Sequence, residues 1–289
     1  MLYGALEAGG TKMVCAIGNE NGEILEQVKF PTETPETTMP QIFDYFKGKD
    51  IKALGIACFG PIDLRTDSPT YGSITSTPKK GWSGYNIVKA AKEALGIPVG
   101  FDTDVNGSLL GEVTWGCAKG LSDAIYLTIG TGIGGGIMTN GKLLHGMLHP
   151  EAGHLRLPRL KNDPGKSVCP YHDNCFEGLA SGPSIKARWG KTADLLTDNN
   201  EVWEIEAEYI ATALMDYAVI LSPKKIILGG GVMHQEQLFP MIRAKFKELV
   251  NGYIVTDEMN HLDDYIVPAS LNDDQGIMGA VKLAMDACE

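Results

Sequence analysis

Cys169-x2-His172-x2-Cys175 is the densest set of metal-ligand residue types in this chain. Two thiolates and an imidazole are what tetrahedral Zn²⁺ selects, and one further ligand closes a structural site with no open position. Pro164, Gly165 and Pro170 keep the segment in a loop. His154 is the nearest unassigned imidazole, with His145 and His149 as alternatives. Glu151 and Glu177 flank the set, so a metal here would pin two carboxylates suited to binding ligand hydroxyls. One ring nitrogen of His154 could take the metal while the other faces the ligand.

Three glycine turns each follow an apolar run: Ala8-Gly9-Gly10-Thr11-Lys12, Gly130-Thr131-Gly132-Ile133-Gly134-Gly135-Gly136 and Gly229-Gly230-Gly231. Without side chains in the way, backbone N–H groups can close on a phosphate. Thr11, Lys12 and Thr131 add hydroxyls and an ammonium. Neither the Walker A spacing nor a dinucleotide fingerprint is present, so the three turns together predict a nucleoside triphosphate held by a different fold. Asp102-Thr103-Asp104-Val105-Asn106 follows a short apolar strand and precedes a helix, where open α/β sheets present their ligand-binding groups. Phosphoryl transfer needs in-line positioning, charge neutralisation and a base near the attacking hydroxyl. Asp104 is the candidate base, with Asn106 holding it and Asp102 capping the helix.

Strands and helices alternate around these groups. Residues 3–6 and 13–17 read as strands about the first turn, residues 31–40 as a polar connector, and residues 51–58 as a buried strand. Asn86 caps a helix that Gly96 closes, and residues 99–101 form a strand leading to Asp104 and a helix over 105–115. Residues 124–129 are a strand, the glycine turn runs to Gly136, and another strand follows. Helices over 201–221, 236–250 and 274–287 alternate with strands over 225–228 and 265–267. Gly10-Thr11, a strand and Asn21-Gly22-Glu23-Ile24-Leu25 are echoed about 120 residues later by Gly130-Thr131, a strand and Asn140-Gly141-Lys142-Leu143-Leu144. The expectation is a duplicated α/β unit with a central cleft: an N-terminal domain over 1–115, a C-terminal domain over 116–273, and the final helix, within 274–289, packing back on the first.

The chain has 289 residues and a formal charge of −11, with 36 acids against 25 Lys and Arg, which argues against nucleic acid as a partner. No run approaches the roughly 20 apolar residues of a membrane span, and the start lacks the pattern of a secretory signal, so a cytoplasmic protein with no membrane partner is expected. Six cysteines in a chain of this length are too sparse for a disulfide scaffold.

The motifs in this order resemble the ROK family (repressors, open reading frames, kinases), and more narrowly its bacterial fructokinase branch. They are Glu7-Ala-Gly-Gly-Thr-Lys12, Thr77-Pro-Lys-Lys-Gly-Trp82, Asp104-Val-Asn106, Gly130-Thr-Gly132, Pro150-Glu-Ala-Gly-His154, and Cys169 through Glu177-Gly-Leu-Ala-Ser-Gly182. The resemblance implies an actin-like (ribonuclease H-like) sugar-kinase fold of two α/β domains and ATP-dependent phosphorylation of D-fructose to fructose 6-phosphate. It implies Asp104 as general base, and Glu151, His154, Glu177, Thr103 and Gly81 at the sugar. Gly10, Thr11, Lys12, Thr131 and Gly132 would surround the phosphates and Mg²⁺, with Gly182, Pro183, Gly230 and Gly231 on the adenosine side. Structural zinc would sit on His154, Cys169, His172 and Cys175, and a homodimer is implied. Mannose, glucose or an N-acylmannosamine are the alternative acceptors. A sugar-sensing regulator is the non-catalytic alternative, disfavoured by Asp104 and by a first motif that begins at residue 7. Two departures stand out. Glu7 replaces the family's usual Asp, and the zinc signature has His172 for the middle Cys and is one residue shorter.

Overall fold

Apolar runs ending in glycine turns assemble into two five-stranded sheets, and the computed structural model describes all residues from Met1 to Glu289. The chain divides into two units: Met1–Gly120 with Leu143–Pro150 and Ser270–Glu289, and Leu121–Lys142 with Glu151–Ala269.

In the first unit, β1 (Leu2–Ala8), β2 (Lys12–Asn19), β3 (Ile24–Pro31), β4 (Leu54–Cys58) and β5 (Val99–Thr103) lie in the order β3-β2-β1-β4-β5. β1 and β2 pair antiparallel across the first glycine turn, and β4 and β5 add in parallel. Parallel strands covered on both faces need continuous apolar sequence, and all five residues of β4 are buried. Its helices are α1 (Pro35–Phe46), α2 (Ile87–Leu95), α3 (Asp104–Thr114) and α10 (Gln275–Asp286). The Asn86 side chain accepts from Lys89 N at 2.8 Å to cap α2, and Gly96 closes it at φ 66°. Residues 31–40 are more ordered than a connector: β3 extends to Pro31, and α1 opens at Pro35, where a missing N–H costs nothing.

Helix α10 lies against α3, β1 and β4. The approach is backbone to backbone, since a Cβ on Gly279 would stand 1.6 Å from the Gly107 carbonyl oxygen.

The second unit contains β6 (Ala124–Ile129), β7 (Ile133–Thr139), β8 (Lys142–Leu143), β9 (Ile226–Gly229) and β10 (Ile266–Pro268), ordered β10-β9-β6-β7-β8. This repeats the first sheet's order: an antiparallel hairpin, β6 and β7, with two strands added in parallel beside β6. Gly134–Gly136 are part of β7, so the second glycine turn ends at Gly132. Helices α4 (Phe176–Ala180), α5 (Gly182–Trp189), α6 (Asn200–Leu221), α7 (Leu238–Val250), α8 (Asp257–Asn260) and α9 (Leu262–Tyr265) complete it. Trp203, Ile210 and Leu214 of α6 are fully buried. No helix is long and apolar enough to cross a membrane.

Candidate functional site

Each unit carries its own set of chemically competent groups. In the first, the β1–β2 turn is closed by Gly9 N–H donating to the Lys12 carbonyl at 3.1 Å, leaving Thr11 and Lys12 exposed. Glu7 precedes this turn. Burial and the charge of Asp104 raise its carboxyl to about 7, against the opposing pull of Lys12. Gly276, in the first turn of α10, gives it room, because a Cβ there would lie 2.8 Å from the Glu7 carboxylate carbon.

Asp104 opens α3 directly after β5, as the strand-end position requires. The residues around it divide the work differently from the sequence expectation. Thr103, not Asp102, caps α3, with its hydroxyl accepting from Asn106 N at 3.1 Å. Asp102 is buried and accepts from Asn106 Nδ2 at 2.6 Å and Thr103 N at 2.7 Å. Asn106 therefore holds Asp102; an amide donor goes to the carboxylate that burial has stripped of water. The second Asp102 oxygen lies 2.8 Å from His145 Nε2, and this carboxylate raises the His145 pKa. Gly81 sits in the loop before α2 at φ 81°. Lys79, two residues earlier, donates from Nζ to the Gly10 carbonyl, an approach with no counterpart in periodicity or motif spacing.

In the second unit, all four expected metal ligands meet. The ligand atoms of His154, Cys169, His172 and Cys175 lie within 4.8 Å of one another. Local pairing brings them there: Leu157 N donates to Asn174 O and Phe176 N to Leu155 O, both at 2.8 Å, stitching the segment after His154 to the one holding Cys175. Cys169 Sγ is 3.7 Å from His172 Nδ1, and the His154 and His172 rings are 5.2 Å apart. His154 Nδ1 is buried with no hydrogen-bond partner. An orphaned buried ring nitrogen on a histidine clustered with two cysteines and a second imidazole fits a tetrahedral Zn²⁺ ion. The alternatives lie in the other unit, His145 on Asp102 and His149 accepting from Ile62 N at 3.2 Å.

The same unit gathers the other glycine turns. Gly182 N, opening α5 before Pro183, donates to Gly130 O at 2.8 Å, and Gly130 N to Gly132 O at 2.9 Å across Thr131. A Cβ on Gly130 would be 3.6 Å from Gly231 N, and Gly230 adopts φ 89°. Glu177, two residues after Cys175 of this cluster, accepts from Ile133 N at 3.0 Å through Oε2. Its carboxylate thus links the metal loop to the Gly130–Gly132 turn and leaves Oε1 for a ligand. Glu151 precedes the short turn Ala152–His154 and is exposed.

The same unit holds a buried network that residue spacing alone does not signal. Arg188 Nε donates to Asp163 at 2.6 Å, its Nη2 donates to the Leu179 carbonyl at 2.8 Å, and Tyr209 OH donates to Asp163 at 2.7 Å. One guanidinium thereby ties the start of the loop to α4, which carries Glu177.

The chain is 48% identical over 287 residues to a fructokinase of Pediococcus pentosaceus, covering 99% of both chains. It is 44% identical over 289 residues to a fructokinase of Streptococcus mutans, covering 98% of this chain and 97% of that one. The crystal structure of the ROK hexokinase from Thermus thermophilus superposes with a TM-score of 0.82 at 25% identity, over 99% of this chain and 98% of that one. The ROK family model itself matches residues 3–287, and the chain therefore belongs to the ROK family.

Proposed function

We propose that the protein transfers the γ-phosphoryl group of ATP to the 6-hydroxyl of D-fructose. The observation that carries this reading is the strand-end Asp104, whose charge is felt at Glu7, just ahead of the glycine turn suited to phosphate. Relatives at 44% and 48% identity bearing the name fructokinase support fructose as the acceptor. In the reaction, sugar O6 bonds to the γ-phosphorus while the bond from that phosphorus to the β-bridging oxygen breaks. The hydroxyl proton passes to Asp104, and ADP leaves with the electron pair. The residues assigned to the sugar are Thr103, Gly81, Glu151, His154 and Glu177. Gly10, Thr11, Lys12, Thr131 and Gly132 receive the phosphates, and Gly182, Pro183, Gly230 and Gly231 line the adenosine.

Mg²⁺ enters with ATP and supplies neutralisation of phosphate charge. Glu7, one methylene longer than the family's usual Asp, would supply a carboxylate to the ion's hydration shell. His154, Cys169, His172 and Cys175 would hold a structural Zn²⁺ ion, which would fix His154 and, through Cys175 just before α4, Glu177. We further propose a cytoplasmic enzyme, since ATP is its substrate. A homodimer is supported by exposed apolar surface at Ile220, in the last turn of α6, and at Tyr253 and Val255, after α7; a sedimentation mass of one chain would exclude it.

The test is ADP release with Mg²⁺-ATP against fructose, mannose, glucose and N-acetylmannosamine. The reading expects fructose to give the highest kcat/KM and fructose 6-phosphate as product. Preference for another hexose would move the specificity, and no turnover from folded protein would overturn the reading.

A further inference from the structure

Thr77-Pro-Lys-Lys-Gly-Trp82 contains two lysines that the mechanism above leaves unused. Their surroundings distinguish them. Trp82 is fully buried, donates Nε1–H to the Glu33 carbonyl at 2.6 Å, and meets Phe59 and Tyr85 edge to face. Its backbone N–H donates to the Lys79 carbonyl at 3.1 Å, closing the turn on a rigid anchor. Gly81 takes the left-handed conformation this turn needs, φ 81°. Lys79 is thereby directed over the β1–β2 turn, while Lys80 is exposed.

Lys79 Nζ donates to the Gly10 carbonyl and lies 5.8 Å from the Phe59 ring centre. A Cβ on Gly10 would stand 2.7 Å from Lys79 Cε and 2.9 Å from Nζ, so glycine at this position is what admits the ammonium. The side chain is half-buried, and its acceptor is a neutral carbonyl rather than a carboxylate. An ammonium has three donors, and one carbonyl leaves the others unused. Partial removal from water strengthens the field such a cation exerts on a nearby anion. The geometry is that of a pre-positioned positive charge lacking its counter-ion.

We propose that Lys79 is a catalytic residue that contacts the γ-phosphoryl group of ATP during transfer, a role that rests on the kinase reading above. As O6 bonds to the γ-phosphorus and the β-bridging oxygen departs with ADP, Lys79 keeps its proton and neutralises charge on the phosphoryl oxygens. In a loose transition state that charge is spread over three equatorial oxygens, where a fixed donor is most effective. Lys12 lies exposed on the same turn, whereas the Gly10 carbonyl holds Nζ of Lys79 in place.

The experiment compares wild type with Lys79→Met, Lys79→Arg and Lys80→Met. Without sugar, ATP and ADP affinities are measured by calorimetry; with fructose, kcat and both KM values are measured. Lys79→Met should weaken ATP at least about tenfold with ADP nearly unchanged, and lower kcat by about 10²–10³ with fructose KM within about threefold. Lys79→Arg should recover part of the loss, and Lys80→Met should match wild type. Equal weakening of ATP and ADP, or a rise in fructose KM at constant kcat, would overturn the assignment. The affinity comparison needs no turnover, so it decides on Lys79 even if wild type phosphorylates no hexose, the result that overturns the kinase reading itself.

Discussion

At the scale of single residues, the carboxylates around Asp104 set the pH behaviour of the first unit. Glu7 titrates near 4.5 when solvated and is raised to about 7 in the fold, by burial first and by Asp104 second. The folded state therefore holds a proton that the unfolded state has lost across that window. Stability from this group is fully present below about 4.5 and is lost as pH rises through about 7. The effect is on the order of 3 kcal/mol. Glu7→Gln should flatten the loss between pH 5.5 and 8 in urea midpoints of the ligand-free protein; an unaltered slope would assign the pH dependence elsewhere. The strand-end position of Asp104 and the grouping of Cys169, His172 and Cys175 were legible in sequence because their spacing is local. Lys79 on Gly10 and His145 on Asp102 were not, since these partners are 69 and 43 residues apart and nothing in either segment's hydropathy encodes the meeting.

At the scale of elements, the loop between His154 and α4 is held at two ends, by the ligand cluster and by the buried Arg188–Asp163 pair. Removing zinc by chelation, or substituting Cys175→Ser, should release the first end and keep the second. Fructose KM should then rise by about tenfold or more, with a fall in Tm, while α5 and α6 stay folded by circular dichroism. Normal KM from zinc-free protein would end the bracing role. The helix over Asn86–Gly96 was legible because both caps are written in residue type, Asn at one end and glycine at the other. The start of α1 was missed because Pro35 reads equally as a linker residue and as a first-turn residue. Gly134–Gly136 read as turn, whereas pairing with Thr128, Leu127 and Tyr126 makes them strand.

At the scale of the whole molecule, the repeat of Gly-Thr hairpins proved to be a repeat of sheet topology, β3-β2-β1-β4-β5 against β8-β7-β6-β9-β10. That much was legible because each copy keeps its own turn residues. The return of Leu143–Pro150 to the first unit carries no such mark, being a short segment with no regular period. Helix α10 joins the first sheet through glycine contacts. Gly279→Ala, which would place a Cβ 1.6 Å from the Gly107 carbonyl, should destabilise the protein by about 2 kcal/mol or more in denaturant titration. A loss under about 0.5 kcal/mol would mean that α10 can shift without cost. The central claim concerns the reaction, and its most direct test is the turnover of Asp104→Asn beside wild type in an ADP-release assay with Mg²⁺-ATP and fructose. Loss of kcat by about 10² or more, with fructose still bound at near wild-type affinity, is the expected result for a general base. Unchanged kcat in that variant would contradict the account.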